Sequence, residues 1–134
     1  MFSYFQCSTA GQHTPADLFC PNSYASTVEE FDSYTIIEEV HDESGRVVGQ
    51  FGVLPVGVPW SKQLLCEMRI SESYPPLRLV KDCLRLCHWF DRMGYRLYAH
   101  SVPELSKFFT TIGFKEYGVM DDGYIRWVYN GKTQ

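Results

Sequence analysis

The chain has 134 residues, of which 45% are hydrophobic and 21% are charged, and its formal net charge is −4. This length and balance predict one compact domain over residues 1–134, with no room for a second. The negative net charge argues against a basic surface that binds nucleic acid. No run approaches the roughly 18 apolar residues of a membrane span. We therefore expect neither nucleic acid nor a membrane as a partner. The first residues lack the basic segment and the apolar run of a signal peptide, so we expect no signal peptide and a cytoplasmic location.

The first third of the chain carries helix signals followed by a hairpin signal. A Thr-Pro pair and a capping box predict irregular structure or two short helices within residues 1–33. Residues 34–41 and 47–54 are rich in β-forming side chains, and the turn-forming sequence at 42–45 separates them. This pattern predicts an antiparallel hairpin.

A strand, a long helix and a second strand follow. Apolar side chains alternate over residues 64–70, which predicts a strand with Glu67 on the face opposite the apolar one. A wide apolar stripe at helical spacing begins after two prolines and is closed by Gly94, which predicts a long helix. Residues 95–102 again predict a strand. A strand–helix–strand unit of this length is a right-handed crossover between parallel strands of one sheet.

The last third predicts a short helix and a second hairpin. Pro103 suits the first turn of a helix, whose apolar stripe ends at Gly113. Residues 115–120 and 124–129 flank an Asp-Gly turn, which is a strong hairpin signal. Together these elements predict an α+β protein, a three-layer α/β arrangement in which helices cover both faces of a mixed, twisted sheet of about six strands.

This order of elements resembles the GNAT superfamily of N-acetyltransferases. The resemblance covers residues 34–130. The individual matches are Val47-Val48-Gly49, the Gly94-Tyr95-Arg96-Leu97 step from helix to strand, and the short helix ending in Ile112-Gly113-Phe114. The resemblance implies the GNAT fold and, where the chemistry is retained, transfer of an acetyl group from acetyl-coenzyme A to an amine.

The cofactor loop of that superfamily is altered in this chain. Its members carry a Gly-rich Arg/Gln-x-x-Gly-x-Gly/Ala loop, whose exposed N–H groups hold the pyrophosphate at the start of the long helix. The corresponding residues 71–78 contain no glycine, Pro75 and Pro76 lack N–H groups, and Glu72 adds a negative charge. The residues left to contact a phosphate are Ser73, Arg78 and Lys81.

Two catalytic positions also differ from the superfamily pattern. Many members place a tyrosine four residues before the glycine that ends the short helix, where it protonates the departing thiolate. This chain has Phe109 there, and a phenyl ring has no proton to give. Val102 stands where many members have an asparagine. These departures from the superfamily pattern predict that the acyl-transfer step is weakened or absent.

One acid–base candidate remains. Glu67 lies on the strand where several members keep a carboxylate that deprotonates the amine, and His100 on the neighbouring strand is its predicted partner. The alternative is structural: Glu67 pairs with Arg69 or Arg96 across the sheet, and His100 faces solvent.

Cysteine usage argues against a disulfide framework or a metal site. The chain has five cysteines, an odd number. Cys83 and Cys87 fall on the predicted buried face of the long helix, where a free cysteine behaves as a small hydrophobic residue. Cys7, His13 and Cys20 form a sparse cluster without a CxxC pair, which matches no familiar zinc pattern. We therefore predict no metal.

Aromatic residues make up 16% of the chain, and such a surplus in a small domain is often contact surface. Trp60, in the loop before the Glu67 strand, and Tyr74, in the altered cofactor loop, are the predicted members of an interface patch. The alternative is that either ring folds back and caps the sheet.

Two function classes remain open. The favoured one is a catalytically degenerate protein that needs no cofactor and serves a binding or assembly role, with a protein partner or a second copy. The alternative is an acetyl-CoA-dependent N-acyltransferase with Glu67 as general base. A weaker resemblance, mostly within residues 95–115, is to internal or accessory virion proteins of short-tailed bacteriophages, and it implies a virion location and a role in the particle.

Overall fold

The computed structural model of the chain describes residues 2–4, 18–21 and 33–131. Its strands are β1 (Phe2–Tyr4), β2 (Thr35–His41), β3 (Val47–Pro55), β4 (Gln63–Ile70), β5 (Arg96–Ser101), β6 (Phe114–Val119) and β7 (Ile125–Tyr129). Its helices are α1 (Pro76–Arg92) and α2 (Ser106–Thr111), with short 3-10 helices at Pro59–Ser61 and Pro103–Leu105. No helix in the described ranges is long and apolar enough to cross a membrane.

The predicted α+β fold with a mixed sheet is confirmed. The strand order is β1-β2-β3-β4-β5-β7-β6. The crossover strands β4 and β5 are parallel neighbours, with Leu64 opposite Leu97. The sheet has seven strands where the sequence predicted about six, because β1 pairs antiparallel with β2. A strand of three residues is too short to show a periodic pattern, so no strand was predicted there.

Other predictions for the first 33 residues lie largely outside the described part of the chain. The short helices and most of the sparse Cys7, His13 and Cys20 cluster fall there. Within the described residues, Phe19 forms an isolated antiparallel bridge to Ile70. The chain divides into two compact units by its internal contacts, and each is described by itself. The prediction of one domain over residues 1–134 stays a prediction.

The first unit comprises Met1–Leu54 and Cys66–Pro75. Strands β2 and β3 pair antiparallel around the predicted turn, with a register shift in β2 between Ile36 and Glu38. At its centre the ring of Tyr74 lies directly above Gly49 and packs edge-on against Phe51, with ring centroids 6.4 Å apart. Only a residue without a side chain leaves room for that ring, so Gly49 fixes where the loop after β4 can lie.

The second unit comprises Pro55–Leu65 and Pro76–Gln134. Its core lies on one face of β5 and β7. Phe109 of α2 stacks on Trp127 there, with centroids 5.4 Å apart and planes 12° apart. Cys83 and Cys87 of α1 are buried, as predicted. A Cβ added at Gly131 would lie 3.1 Å from Cε2 of Tyr129 and 3.4 Å from Oδ2 of Asp91, so Asp91 of α1 lies beside Tyr129. Tyr129 shares a face of β7 with Trp127, on which Phe109 of α2 stacks, so α1 lies on the same face as α2.

Two glycines end the helices of the second unit. Gly94 follows α1 with φ +89° and Gly113 follows α2 with φ +103°, both in the left-handed region that glycine enters at little cost. The helix ends were predicted at these positions, and the structure confirms them. Because each helix stops there, the chain turns directly into β5 or β6.

Replacing Gly49 with alanine tests the packing in the first unit. An added Cβ would lie 2.5 Å from Cε2 of Tyr74, so the ring must move. We expect this overpacking to lower the free energy of unfolding by about 1–3 kcal/mol. The matched control is Gly118→Ala, whose Cβ would meet Cδ of Arg126 at 3.7 Å, an ordinary contact distance. Thermal melts of both variants check the prediction, and equal melting temperatures would contradict it.

Candidate functional site

Three backbone N–H groups of the loop at residues 71–75 donate to acceptors within the protein. Ser71 N donates to Val48 O at 2.8 Å, and Tyr74 N donates to Ser71 O at 3.1 Å. Ser73 N donates to Oγ of Ser71 at 3.2 Å, and the two serine hydroxyls lie 3.0 Å apart. In an anion-binding loop, by contrast, several N–H groups point at the ligand. Here these three N–H groups are hydrogen-bonded to the protein itself.

Tyr74 holds this loop from the inside. The side chain is 3% exposed, because the ring occupies the space above Gly49. The prediction that Tyr74 belongs to an exposed interface patch was therefore wrong, and the alternative that it caps the sheet is correct. Sequence position suggested exposure because the residue lies in a loop. The partner that buries it is a glycine on another strand.

The residues predicted to contact a phosphate lie in different settings. Ser73, in the first unit, is exposed, and its hydroxyl forms a hydrogen bond with the hydroxyl of Ser71. On α1 in the second unit, Nε of Arg78 lies 3.7 Å from Oδ2 of the buried Asp82. Lys81 is exposed on the same helix. Arg78 is thus engaged with a carboxylate of its own helix, and its contact with a phosphate stays a prediction.

Glu67 is buried in the first unit, at 8% exposure. Its Oε1 accepts a hydrogen bond from the backbone N–H of Met68 at 3.0 Å. The neighbouring Arg69, predicted as a structural partner of Glu67, donates from Nη2 to Oε1 of Gln50 at 3.2 Å. A buried carboxylate on β4 is consistent with both interpretations, a general base and a structural group.

A chain of polar side chains crosses the strands around this position. Nε2 of Gln50 donates to Oε2 of Glu39 at 2.8 Å, and Oε1 of Glu39 lies 3.4 Å from Nε2 of His41. Gln50, at 1% exposure, therefore joins Glu39 on β2 to Arg69 on β4. Sequence reasoning missed these residues. The available signal was a glutamine inside an apolar run and a glutamate pair inside a β-rich one.

His100 lies in the second unit, half-buried on β5 and directly opposite Arg126 of β7. Burial lowers its pKa below the ordinary value of 6.5, and the charge of Arg126 lowers it further, whereas Asp122 acts in the opposite direction. A lowered pKa keeps the imidazole neutral at pH 7, the form that accepts a proton. The predicted pairing of His100 with Glu67 stays a prediction.

The position of the expected acid is part of the core. Phe109 is 3% exposed and lies between Trp127, on which it stacks, and the rings of Phe108 and Phe114, which meet it edge-on. The indole N–H of Trp127 donates to Oγ of Ser101 at 2.8 Å. The ring at this position therefore serves packing.

Trp60 is the most exposed large hydrophobic residue in the described ranges, at 81%. It lies on the 3-10 helix at Pro59–Ser61, next to Val58, which is 47% exposed. Lys62 anchors this segment: its Nζ donates to Met93 O at 3.3 Å and lies 5.3 Å from the centre of the Tyr95 ring. The indole is therefore presented to solvent by an anchored segment, as an interface residue requires.

The sequence matches no protein-family model and no curated protein, but the fold matches solved structures. A chimera of the Vibrio cholerae spermidine N-acetyltransferase SpeG with hSSAT aligns with a TM-score of 0.58 at 14% identity, over 81% of this chain and 77% of that one. The GNAT domain of S. lividans PAT gives 0.59 at 14% identity, over 80% and 69%. The ribosomal-protein-S5-alanine acetyltransferase of Vibrio fischeri gives 0.57 at 10% identity, over 80% and 67%. The chain therefore has the GNAT fold, as its element order predicted.

The pKa of His100 should respond in opposite directions to its two charged neighbours. Arg126→Gln removes a repelling cation and should raise the pKa, while Asp122→Asn removes an attracting anion and should lower it. Because burial is the largest cause, the pKa in the Arg126 variant should stay below 6.5. A proton NMR titration of the imidazole checks this, and identical pKa values in all three proteins would contradict it.

The same shift predicts how stability depends on pH. The unfolded chain takes up the His100 proton near its ordinary pKa of 6.5, before the folded chain does. The free energy of unfolding should therefore decrease as the pH falls from 6.5 through the lowered native pKa. His100→Gln should remove this part of the pH dependence, as measured by urea unfolding at a series of pH values.

Proposed function

We propose that this GNAT-fold chain is catalytically degenerate and serves a binding or assembly role with a protein partner or with a second copy of itself. The observation that carries the proposal is the loop at residues 71–75, whose N–H groups of Ser71, Ser73 and Tyr74 all donate within the protein. The proposal requires no cofactor.

The energetics of phosphate binding support this interpretation. A hydrogen bond to a charged group is worth about 1.5–3 kcal/mol, and a millimolar dissociation constant corresponds to only about 4 kcal/mol. The loss of two or three such bonds therefore removes most of the affinity that a pyrophosphate contributes. Pro75 and Pro76 add two positions without a donor. Opening the loop would also expose the ring of Tyr74, which adds a cost to any cradle-like conformation.

The missing acid supports the same proposal. Phe109 is enclosed by aromatic rings, and no hydroxyl stands in its place. Departure of a thiolate without a positioned acid forgoes a contribution of typically about 100-fold to 10,000-fold in rate. Exposed Trp60 supports the binding role, since large rings on anchored segments supply contact area at low entropic cost. One form of the proposal, which the resemblance within residues 95–115 implies, is an internal or accessory protein of a phage virion.

A second candidate function is N-acyl transfer from acetyl-coenzyme A to an amine. Two observations favour it: Glu67 is a buried carboxylate on β4, and the pKa of His100 is lowered, so that the imidazole is a neutral base at pH 7. Either group would then accept the amine proton. The thiolate would depart without help from Phe109.

Titration with acetyl-coenzyme A separates the two functions. By calorimetry we expect a dissociation constant weaker than about 1 mM for the native chain, because the loop offers too few donors. A variant with residues 73–76 replaced by a Gly-rich sequence should bind more tightly. Micromolar affinity of the native chain would contradict the proposal and favour acyl transfer. In that case Glu67→Gln should slow release of the thiol from acetyl-coenzyme A without weakening its binding.

Substitution of Trp60 tests the assembly role. Trp60→Ser should weaken association, measured by size-exclusion chromatography and sedimentation, and leave the melting temperature nearly unchanged because the ring is 81% exposed. The contrasting variant is Tyr74→Ser. It removes a buried ring and should cost about 3–5 kcal/mol, which lowers the melting temperature by several degrees. A large drop in melting temperature for the Trp60 variant with association intact would overturn its interface role.

A further inference from the structure

The strands of the second unit have two different faces. Both described helices of this unit pack on one of them, where the side chains are buried: Leu97, Ala99, Ser101, Ile125 and Trp127. The other we call the open face. It consists of Arg96, Tyr98 and His100 of β5, Arg126 and Val128 of β7, and Lys115 and Tyr117 of β6, all of which are exposed or half-buried.

Strand register brings the open-face residues together. Val128 lies opposite Tyr98 on one side and Lys115 on the other, so these three form a row across the sheet. The rings of Tyr98 and Tyr117 meet edge-on, with centroids 5.8 Å apart. In the next row Arg126 lies beside His100, and its side chain passes over Gly118, whose absent Cβ would be 3.7 Å from Cδ. With strands about 5 Å apart, the three strands span about 10 Å.

The charge of the open face is opposite to that of the whole chain. Its seven residues include the cations Arg96, Lys115 and Arg126, a histidine, and no carboxylate. Asp122 in the β6–β7 turn acts on His100 by its charge, and Glu116 of β6 lies opposite Trp127, which belongs to the other face. The chain as a whole carries −4. On an acidic protein, a cationic face with two tyrosines at its centre attracts anionic partners and repels cationic ones.

We propose that the open face binds an acidic segment of a partner protein. Carboxylates of the segment pair with Arg96, Arg126 and Lys115, since guanidinium groups match carboxylate geometry, and an apolar or aromatic side chain covers the two tyrosines. A nucleic acid fits less well, because a phosphate backbone would extend beyond three cations onto an acidic protein. The open face and the loop at residues 71–75 are tested independently, so failure of either proposal leaves the other standing.

A labelled peptide of three Glu-Tyr-Glu-Ser repeats is a direct probe of the open face. Fluorescence anisotropy with the full chain should give a dissociation constant of about 10–100 μM at low salt. The matching peptide with glutamine in place of glutamate should bind at least about tenfold more weakly. Raising the salt from about 0.05 M to about 0.5 M should also weaken binding at least about tenfold, because screening shortens the range of the charges.

Two triple variants locate the binding site. The open-face variant combines Arg96→Gln, Lys115→Gln and Arg126→Gln. The control variant removes three exposed cations that lie outside the open face by Arg46→Gln, Arg92→Gln and Lys107→Gln. Both lose the same charge, so a loss of affinity above about tenfold in the open-face variant alone supports the proposal. If the open-face variant does not fold, the single variant Lys115→Gln at the sheet edge and the salt series decide.

Several results would overturn the proposal. These are no binding of the acidic peptide at millimolar concentration, equal weakening by both triple variants, or tighter binding of a labelled oligothymidine, which would assign the face to nucleic acid. A dimer in sedimentation that excludes the peptide and dissociates in the open-face variant would instead assign the face to a second copy of the chain.

Discussion

The contact between the Tyr74 ring and Gly49 is the constraint on which the proposed function depends. It places a loop side chain inside the first unit, at 3% exposure, and so fixes the path of the chain after β4. Once the path is fixed, the N–H groups of Ser71, Ser73 and Tyr74 meet acceptors of the protein. A Gly-rich cradle keeps its donors free because no side chain anchors it. The packed loop and the phosphate cradle are therefore alternative uses of the same segment.

The buried polar chain places a second constraint on the first unit. Burial of charged side chains is costly unless each is paired and hydrogen-bonded. Gln50 meets that requirement for two residues at once, since its amide donates to Glu39 and its carbonyl accepts from Arg69. A carboxylate at that position could not donate to Glu39, and a guanidinium could not accept from Arg69. Gln50 thus links β2, β3 and β4 through side chains as well as through the backbone.

Local signals account for what the sequence predicted, and long-range contacts account for what it missed. Helix ends at Gly94 and Gly113 follow from the residue itself, so they were predicted to within a residue or two. The burial of Tyr74 depends on a glycine 25 positions away in the sequence, which no local pattern reveals. The role of Gln50 likewise depends on two other strands. The sequence showed that the loop lacks the cofactor glycines, but only the structure showed that the N–H groups of Ser71, Ser73 and Tyr74 are already engaged.

Packing also explains why a tyrosine at position 109 would not by itself restore proton donation to the thiolate. Phe109 lies face to face with Trp127 at 12° and edge-on to two further rings, in a nearly sealed aromatic cluster at 3% exposure. A tyrosine hydroxyl there needs a hydrogen-bond partner, and an unpaired one costs about 1–3 kcal/mol. The Ser101 hydroxyl already accepts from Trp127 and donates to Val102 O. Stability and proton donation therefore compete for this position, and in this chain the aromatic cluster occupies it.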